Sequence, residues 1–235
     1  MPGEVVIDCF PESTAKYRDG YAVVAVDVIR ATTTAVTGVA AGRRCYPAPT
    51  LEAVVPLAAR LANPLLVGEL GGNMPYGFDL TNSPAALAEQ TDLTRPMILL
   101  SSSGTRLLCE ADGAAAVYAA CLRNFSAQVS ELAGNYERVA VIGAGSRGEF
   151  RDEDQLCCAW IAEGLIEAGY GAANSGTKAL VERWTGAPVE AIGNGASAAY
   201  LRETDQLRDL DFILAHVDDV NACFVLRGDE LVRAP

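Results

Sequence analysis

Histidine, lysine and long apolar runs are all scarce in this sequence of 235 residues. The only histidine is His216, so a multi-histidine metallohydrolase or a histidine phosphatase cannot be built, and a Ser-His-Asp triad would have to use this one imidazole. Lysine occurs only at Lys16 and Lys178, and 18 basic residues stand against 30 acidic ones, a net charge of -12. Binding to nucleic acid or to an anionic membrane draws its affinity from clustered Lys and Arg, so both are excluded as expected partners. No apolar run approaches the roughly 18 residues of a membrane span, and Glu4 stands where a signal peptide would carry positive charge. The expected location is therefore cytoplasmic. The seven cysteines are odd in number and include no Cys-x-x-Cys pair, which reads as packing thiols in a reducing compartment rather than a disulfide framework. The chemistry left to such a chain runs on carboxylates, hydroxyls, arginines and any hard metal ion they hold.

Short β-rich apolar runs alternate with helical patterns, the mark of an α/β protein. Strands are expected at 5–10, within the apolar run 21–29 (broken only by Asp27), and at 44–48, 65–69, 97–101, 114–120 and 138–142. Helices are expected at 32–41, at 51–61 with Thr50 as N-cap and Pro56 as a kink, from Ser83-Pro84 onward, and at 125–133, 177–183 and 191–202. The segment 154–168 carries the best amphipathic pattern, and a hairpin turning on Gly228-Asp229 closes the chain. Together these predict a layered mixed β-sheet with flanking helices. A division into two α/β lobes near residue 136, with the site in the cleft between them, is compatible with this pattern, although nothing in the composition demands it.

Ligands of open α/β sheets sit at the carboxyl ends of strands, so the polar residues that follow the apolar runs are the candidates. Five clusters qualify. In the first, Asp27 and Arg30 end a strand and Thr32, Thr33 and Thr34 open a helix, offering amides, hydroxyls and a guanidinium to an anion; a capped helix with a structural Asp27–Arg30 pair explains the same residues. The second is Gly68-Glu69, and the third the loop Gly77-Phe78-Asp79-Leu80-Thr81-Asn82-Ser83-Pro84. Glu69 and Asp79 are hard oxygen ligands of the kind Mg²⁺ takes, while Asn82 and Ser83 serve equally well as turn and cap residues. The fourth, Ser101-Ser102-Ser103-Gly104-Thr105-Arg106, has the logic of a phosphate cradle without the Gly-Lys-Ser/Thr of a Walker loop.

The fifth, Gly143-Ala144-Gly145-Ser146-Arg147-Gly148, matches Gly-x-Gly-x-x-Gly after a strand and raises an NAD(P)-binding oxidoreductase as an alternative. Against it, the acidic run Asp152-Glu153-Asp154 opens the next helix where a pyrophosphate wants positive potential; acids there serve the helix dipole. Non-catalytic binding of a small anion is the third reading. A haloacid-dehalogenase-type phosphatase wants a second aspartate two residues after Asp27, where Ile29 stands, and no cysteine has the arginine that a Cys-x5-Arg phosphatase needs.

The segment 26–34, Gly68-Glu69, the motif Gly-Phe-Asp-Leu-x-Asn-Ser-Pro at 77–84, the Ser/Thr-rich turn at 101–105, Asn124 and Ala-Gly-x-x-Gly leading to Glu153-Asp154 occur in the order that resembles the 2-phosphosulfolactate phosphatase family. The resemblance is strong over about residues 5–165 and weak in the tail. The chain differs at Ser103, where the family commonly has Asn, and at Thr81, where it has Gly. The resemblance implies Mg²⁺-dependent hydrolysis of the phosphate monoester of a 2-hydroxycarboxylic acid. On that resemblance Asp27 and Arg30 are the expected catalytic residues, Asp27 orienting water or protonating the leaving hydroxyl, with a hydroxyl nucleophile from Thr32–Thr34 or Ser101–Ser103 as an open variant. Thr32–Thr34, Asn82, Ser83, Ser101–Ser103, Gly104, Thr105, Arg106 and Asn124 are expected around the substrate. The Mg²⁺ is expected to be held by some of Glu69, Asp79, Glu153 and Asp154. The expected partners are a small anionic phosphoester and a second copy of the chain as a homodimer. His216 is expected to be structural, and residues beyond about 165 carry no assigned role.

Overall fold

A computed structural model describes residues 3–235. One ten-stranded sheet runs through the molecule: β1 (Glu4–Cys9), β2 (Ala22–Val26), β3 (Cys45–Ala48), β4 (Leu65–Gly68), β5 (Met97–Leu100), β6 (Ala116–Ala120), β7 (Arg138–Gly143), β8 (Gly171–Ala172), β9 (Phe224–Arg227) and β10 (Glu230–Arg233). Its helices are α1 (Ala31–Ala40), α2 (Leu51–Arg60), α3 (Pro84–Ala88), α4 (Gly104–Glu110), α5 (Phe125–Leu132), α6 (Asp152–Glu167), α7 (Ser175–Trp184), α8 (Ala196–Glu203) and α9 (Leu207–Ala215). The sheet order is β4-β5-β3-β10-β9-β6-β2-β7-β1-β8. It is mixed: β4-β5-β3 and β6-β2-β7-β1-β8 are two parallel blocks, and the terminal hairpin β9–β10 joins them through antiparallel pairs with β6 and β3.

Strand β2 lies between β6 and β7 in the second block with every residue fully buried. Val24 and Val26 face one apolar cluster, Val23 and Ala25 the other. Helices cover both faces, so the continuous apolar run reads as a strand of a covered parallel sheet. It ends at Val26 and leaves Asp27–Arg30 as a turn. Most other boundaries agree with expectation, including the Thr50 cap, whose hydroxyl accepts from Ala53 N at 3.3 Å, and the Ser83 cap on Ala86 N at 3.0 Å.

Four features depart from expectation. Helix α6 begins at Asp152 and is buried on nearly every face, with Leu156, Cys157, Cys158, Ala159 and Ile161 all enclosed, because it lies between the sheet, α5 and α7 instead of at the surface. The span 191–202 splits at Gly195 into a short 3-10 turn (Val189–Asn194) and α8. Helix α9 is additional to the expected elements. Strands from before and after residue 136 are neighbours in one block, since β7 lies between β1 and β2; the sheet has no break there.

Followed strand by strand in a flat sheet, the two parallel blocks would point in opposite directions. Residues that follow β2, β4, β5 and β7 nevertheless line one cavity. Sheet twist of about 20–25° per strand pair, accumulated across the intervening strands, is the physical means of that convergence.

Candidate active site

A cavity of about 440 Å³ is lined by Asp27, Arg30, Glu69, Asn82, Ser101, Ser102, Ser103, Glu153 and Asp154 from the expected set, and by the turn 145–147, Arg151 and the helix α8. Its floor is the turn after β2. Thr32 Oγ1 accepts from Asp27 N and donates to Asp27 O, both at 2.8 Å. Thr33 Oγ1 donates to Val28 O at 2.8 Å, and Thr34 Oγ1 sits 2.7 Å from Asn82 O. The three threonines therefore lock the turn and hold the 82–83 loop against it. Their hydroxyls belong to the protein's own backbone and are absent from the cavity lining, contrary to the substrate contacts that the resemblance implied.

Asp27 is buried; its Oδ1 accepts from Ala31 N at 3.2 Å, at the start of α1. Its Oδ2 points at Gly104: a Cβ built there would stand 2.2 Å from that oxygen and 2.6 Å from the Ala31 Cβ. Glycine at 104 is thus required by close approach. Gly104→Ala is expected to displace the Asp27 carboxyl and to cut turnover at least about tenfold, because misplacing a reacting group by around 1 Å is costly; kcat compared with wild type at equal fold content checks this. Burial pushes the Asp27 carboxyl up to about 7, helped by the nearby negative charges of Glu69 and Glu153.

Asp154 ties two strand ends together, accepting from Val28 N at 2.9 Å and Gly145 N at 3.1 Å. Burial raises it well above the usual carboxylate range, and Asp27 and Glu153 push in the same direction. Glu153 is also raised by burial, and its Oε2 is enclosed without a hydrogen-bond partner, as is Asn82 Oδ1. Glu69 is spent on its own surroundings, accepting from Ser102 N at 2.6 Å, Gly72 N at 2.7 Å and Ser102 Oγ at 3.0 Å. It fixes the loops after β4 and β5. Among the described residues, no group of three or more His, Cys, Asp or Glu is arranged to hold a metal ion by itself.

Arg30 is buried at the start of α1, with Nη1 donating to Gln206 Oε1 at 2.6 Å and to Asp209 Oδ2. Asp209 also accepts from Ser83 Oγ at 2.5 Å and Ala85 N at 3.2 Å, so one carboxylate of α9 joins α1, α3 and the cavity arginine.

Several expected residues lie elsewhere. Asp79 is outside the cavity, where it accepts from Leu66 N at 2.8 Å and Arg95 Nη2 at 3.0 Å and so pins its own loop. Arg106 is held by Glu110 at 2.6 Å and Glu12 at 2.8 Å beside a separate groove. Thr105 donates to Ala48 O and Asn124 accepts from Cys121 N; both are fully buried in the framework, and Ser83 is a cap. His216 stacks on Phe212 with ring centroids 4.0 Å apart, in a different cavity.

The Gly-rich turn is a tight hairpin. Ser146 and Glu149 exchange backbone bonds at 2.9 and 3.0 Å around Arg147 (φ 52°) and Gly148 (φ 77°), both left-handed as in a type I′ turn. Gly143 is required because the Phe150 ring occupies the place of a Cβ. With the Gly145 amide committed to Asp154, this geometry offers pyrophosphate no cradle of amides.

The sequence model of the 2-phosphosulpholactate phosphatase family matches residues 9–228. The chain belongs to this family. A relative from Thermus thermophilus, named as a probable 2-phosphosulfolactate phosphatase, is 34% identical over 229 residues, 94% of each chain. One from Gloeobacter violaceus with the same name is 32% identical over 206 residues, 85% of each chain. A third, from Pseudothermotoga lettingae, is 37% identical over 134 residues, 57% of this chain and 58% of the relative. The family match extends past residue 165, in keeping with α8 forming one wall of the cavity and α9 holding Arg30 through Asp209. Sequence reasoning placed Arg147 only in a candidate dinucleotide turn and missed Arg151, Ser197, Tyr200, Gln206 and Asp209. The two arginines follow β7 directly and meet the strand-end criterion that found the others. Nothing local marks the residues of α8 and α9, whose apolar positions Leu201, Leu210 and Ile213 speak only of packing.

Proposed function

We propose that this protein hydrolyses the phosphate monoester of a 2-hydroxycarboxylic acid, of the 2-phosphosulfolactate type, with Mg²⁺ bound beside Asp27. The family match gives the reaction class. The observation that carries the site is the enclosure of Asp27, Glu153 and Asp154 in one cavity with Arg30 and the serines after β5. Burial raises all three carboxyls, and the neighbouring acids push the same way: Glu69 and Glu153 on Asp27, Asp27 and Glu153 on Asp154, and Asp152 on Glu153.

These residues fit a hard divalent cation. Glu153 Oε2 and Asn82 Oδ1 are buried oxygens without partners, and a cation would meet both the unmet hydrogen-bonding capacity and the excess negative charge. Mg²⁺ is typically held by one or two carboxylates, so Glu153, whose Oε2 has no partner, would be the principal ligand, while Asp154, both of whose oxygens already accept backbone N–H groups, would add its charge beside it. When bound, the ion supplies charge neutralisation at the phosphoryl oxygens. Arg30, held by Asp209 and Gln206, presents its guanidinium to the transferring phosphoryl group. Asp27 delivers a proton from Oδ2 to the leaving oxygen of the hydroxy acid as a water molecule attacks phosphorus and the ester P–O bond breaks, and the proton given up by that water leaves with the inorganic phosphate. Ile29, Ala196 and Leu201 supply apolar wall that limits water.

Phosphate release is expected from 2-phosphoglycolate, 2-phospholactate or 2-phosphosulfolactate with Mg²⁺, and is expected to vanish in EDTA. Mg²⁺ is also expected to raise Tm at pH 8, since a ligand bound only by the folded state stabilises it. Absence of turnover across the whole panel would refute the proposal. The seven free thiols are in keeping with a reducing, cytoplasmic setting, and among the described residues no helix is long and apolar enough to cross a membrane.

A further inference from the structure

A phosphate monoester of a hydroxy acid carries at least one oxyanion besides its phosphate, and the cavity is lined by two arginines besides the one at its phosphate end. Its arginines come from different elements: Arg30 from the start of α1, Arg147 and Arg151 from the connection between β7 and α6. The expected second clamp, Arg106, is turned away and ion-paired with Glu12 and Glu110.

Arg151 has only 12% of its side chain exposed. Its Nη1 meets Glu149 Oε2 at 2.6 Å, but that glutamate is 68% exposed and its hold is screened by water. Its Nε is buried with no acceptor among the described residues, a donor left unsatisfied at the wall of a ligand cavity. Arg147 sits above it on the hairpin, in a left-handed conformation (φ 52°) that a non-glycine residue adopts at a cost. The Arg147 guanidinium lies 5.9 Å from the centre of the Tyr200 ring. Tyr200 in turn donates to Gly72 O at 3.0 Å, which ties α8, the hairpin and the loop after β4 around the mouth. Both arginines line the one cavity, Arg147 beside an aromatic ring and Arg151 with a guanidinium nitrogen that no protein group satisfies.

We propose that Arg147 and Arg151 form a second oxyanion subsite, which takes the carboxylate or sulfonate of a phosphate monoester whose phosphate lies at the Asp27 and Arg30 end. The inference rests on the phosphatase reading above. It makes the two arginines specificity-determining residues: they select phosphoesters carrying a second anion over simple alkyl phosphates.

Non-hydrolysable phosphonates test this without turnover. Isothermal titration in Mg²⁺ compares 3-phosphonopropionate and 3-phosphonopropanesulfonate with propylphosphonate, which lacks the second anion. The wild-type protein is expected to bind at least one of the dianionic pair about 10–100 times more tightly than propylphosphonate, the range of hydrogen bonds to charged groups. Arg151→Gln is expected to erase most of that ratio and Arg147→Gln part of it, whereas Arg106→Gln keeps it. The favoured analogue identifies carboxylate or sulfonate as the occupant. A wild-type ratio near one for both analogues, or a ratio unchanged in Arg151→Gln, overturns the subsite. A preserved ratio with no phosphate release from any 2-phospho acid would overturn the phosphatase reading instead.

Discussion

Asp27→Asn is expected to lower kcat by about 100- to 10,000-fold, the usual contribution of a positioned acid or base, while raising the Tm of the metal-free protein at pH 8. Both effects follow from one buried carboxyl. In the unfolded chain Asp27 titrates near 3.8, and in the fold burial lifts it to about 7. A raised folded value means that stability is fully present below 3.8 and is lost as the pH climbs through 7, because the fold then encloses a carboxylate that the unfolded chain would leave in water. The amide carries no such penalty and keeps an oxygen for Ala31 N. Variant and wild type should therefore unfold alike near pH 3 and diverge between pH 4 and 7. Each 1 kcal/mol recovered moves Tm by about 2–4 °C for a chain of this size. Mg²⁺ should narrow the gap at pH 8 by stabilising the wild type more. An Asp27→Asn protein with undiminished kcat would remove the residue from the mechanism, and one less stable than wild type at pH 8 would contradict the buried-charge account.

Asp209→Ala is expected to cost about 3–5 kcal/mol, the usual result of removing one member of a buried ion pair and stranding the other. Arg30 and Asp209 are 5% and 4% exposed, so water can replace the lost carboxylate poorly. Ser83 Oγ and Ala85 N lose their acceptor at the same time. The loss converts to a Tm roughly 6–20 °C lower, and kcat/KM should drop because Arg30 is no longer held towards the cavity. Asp209→Asn retains an oxygen for Ser83 and Ala85 and should fall between the two. Thermal denaturation of the three proteins checks the order. A Tm for Asp209→Ala within 2 °C of wild type would show that the α9 carboxylate does not hold this corner together.

The elements were largely legible because their signals are local. The apolar runs of β2, β5 and β7, the Thr50 and Ser83 caps and the Gly228-Asp229 hairpin each follow from a few neighbouring residues. Helix α6 was legible as a helix and not by its surroundings: an amphipathic pattern presumes a solvent face, and α5 and α7 cover it. The site was legible in part. Asp27, Arg30, Glu69, Asn82, Ser101–Ser103, Glu153 and Asp154 follow strands or open helices, and the structure brings them to one cavity. Asp79, Arg106 and Asn124 carry equally suitable side chains and lie elsewhere, since a motif gives a residue's order along the chain and not the direction in which it points.

By itself the sequence determined the α/β class, the reliance on carboxylates and arginines that follows from a single histidine and a net charge of -12, and the corner at Asp27 and Arg30. Only the tertiary structure decided which acids share a cavity and which are spent on backbone amides, as Glu69 is. It also gave residues beyond 165 their place: the hairpin β9–β10 joins the two parallel blocks, α9 holds Arg30, and α8 walls the cavity. The physical reason is that burial, unmet hydrogen bonds and mutual repulsion between carboxylates depend on distances between segments far apart in sequence, and those exist only once the sheet has twisted its two blocks together.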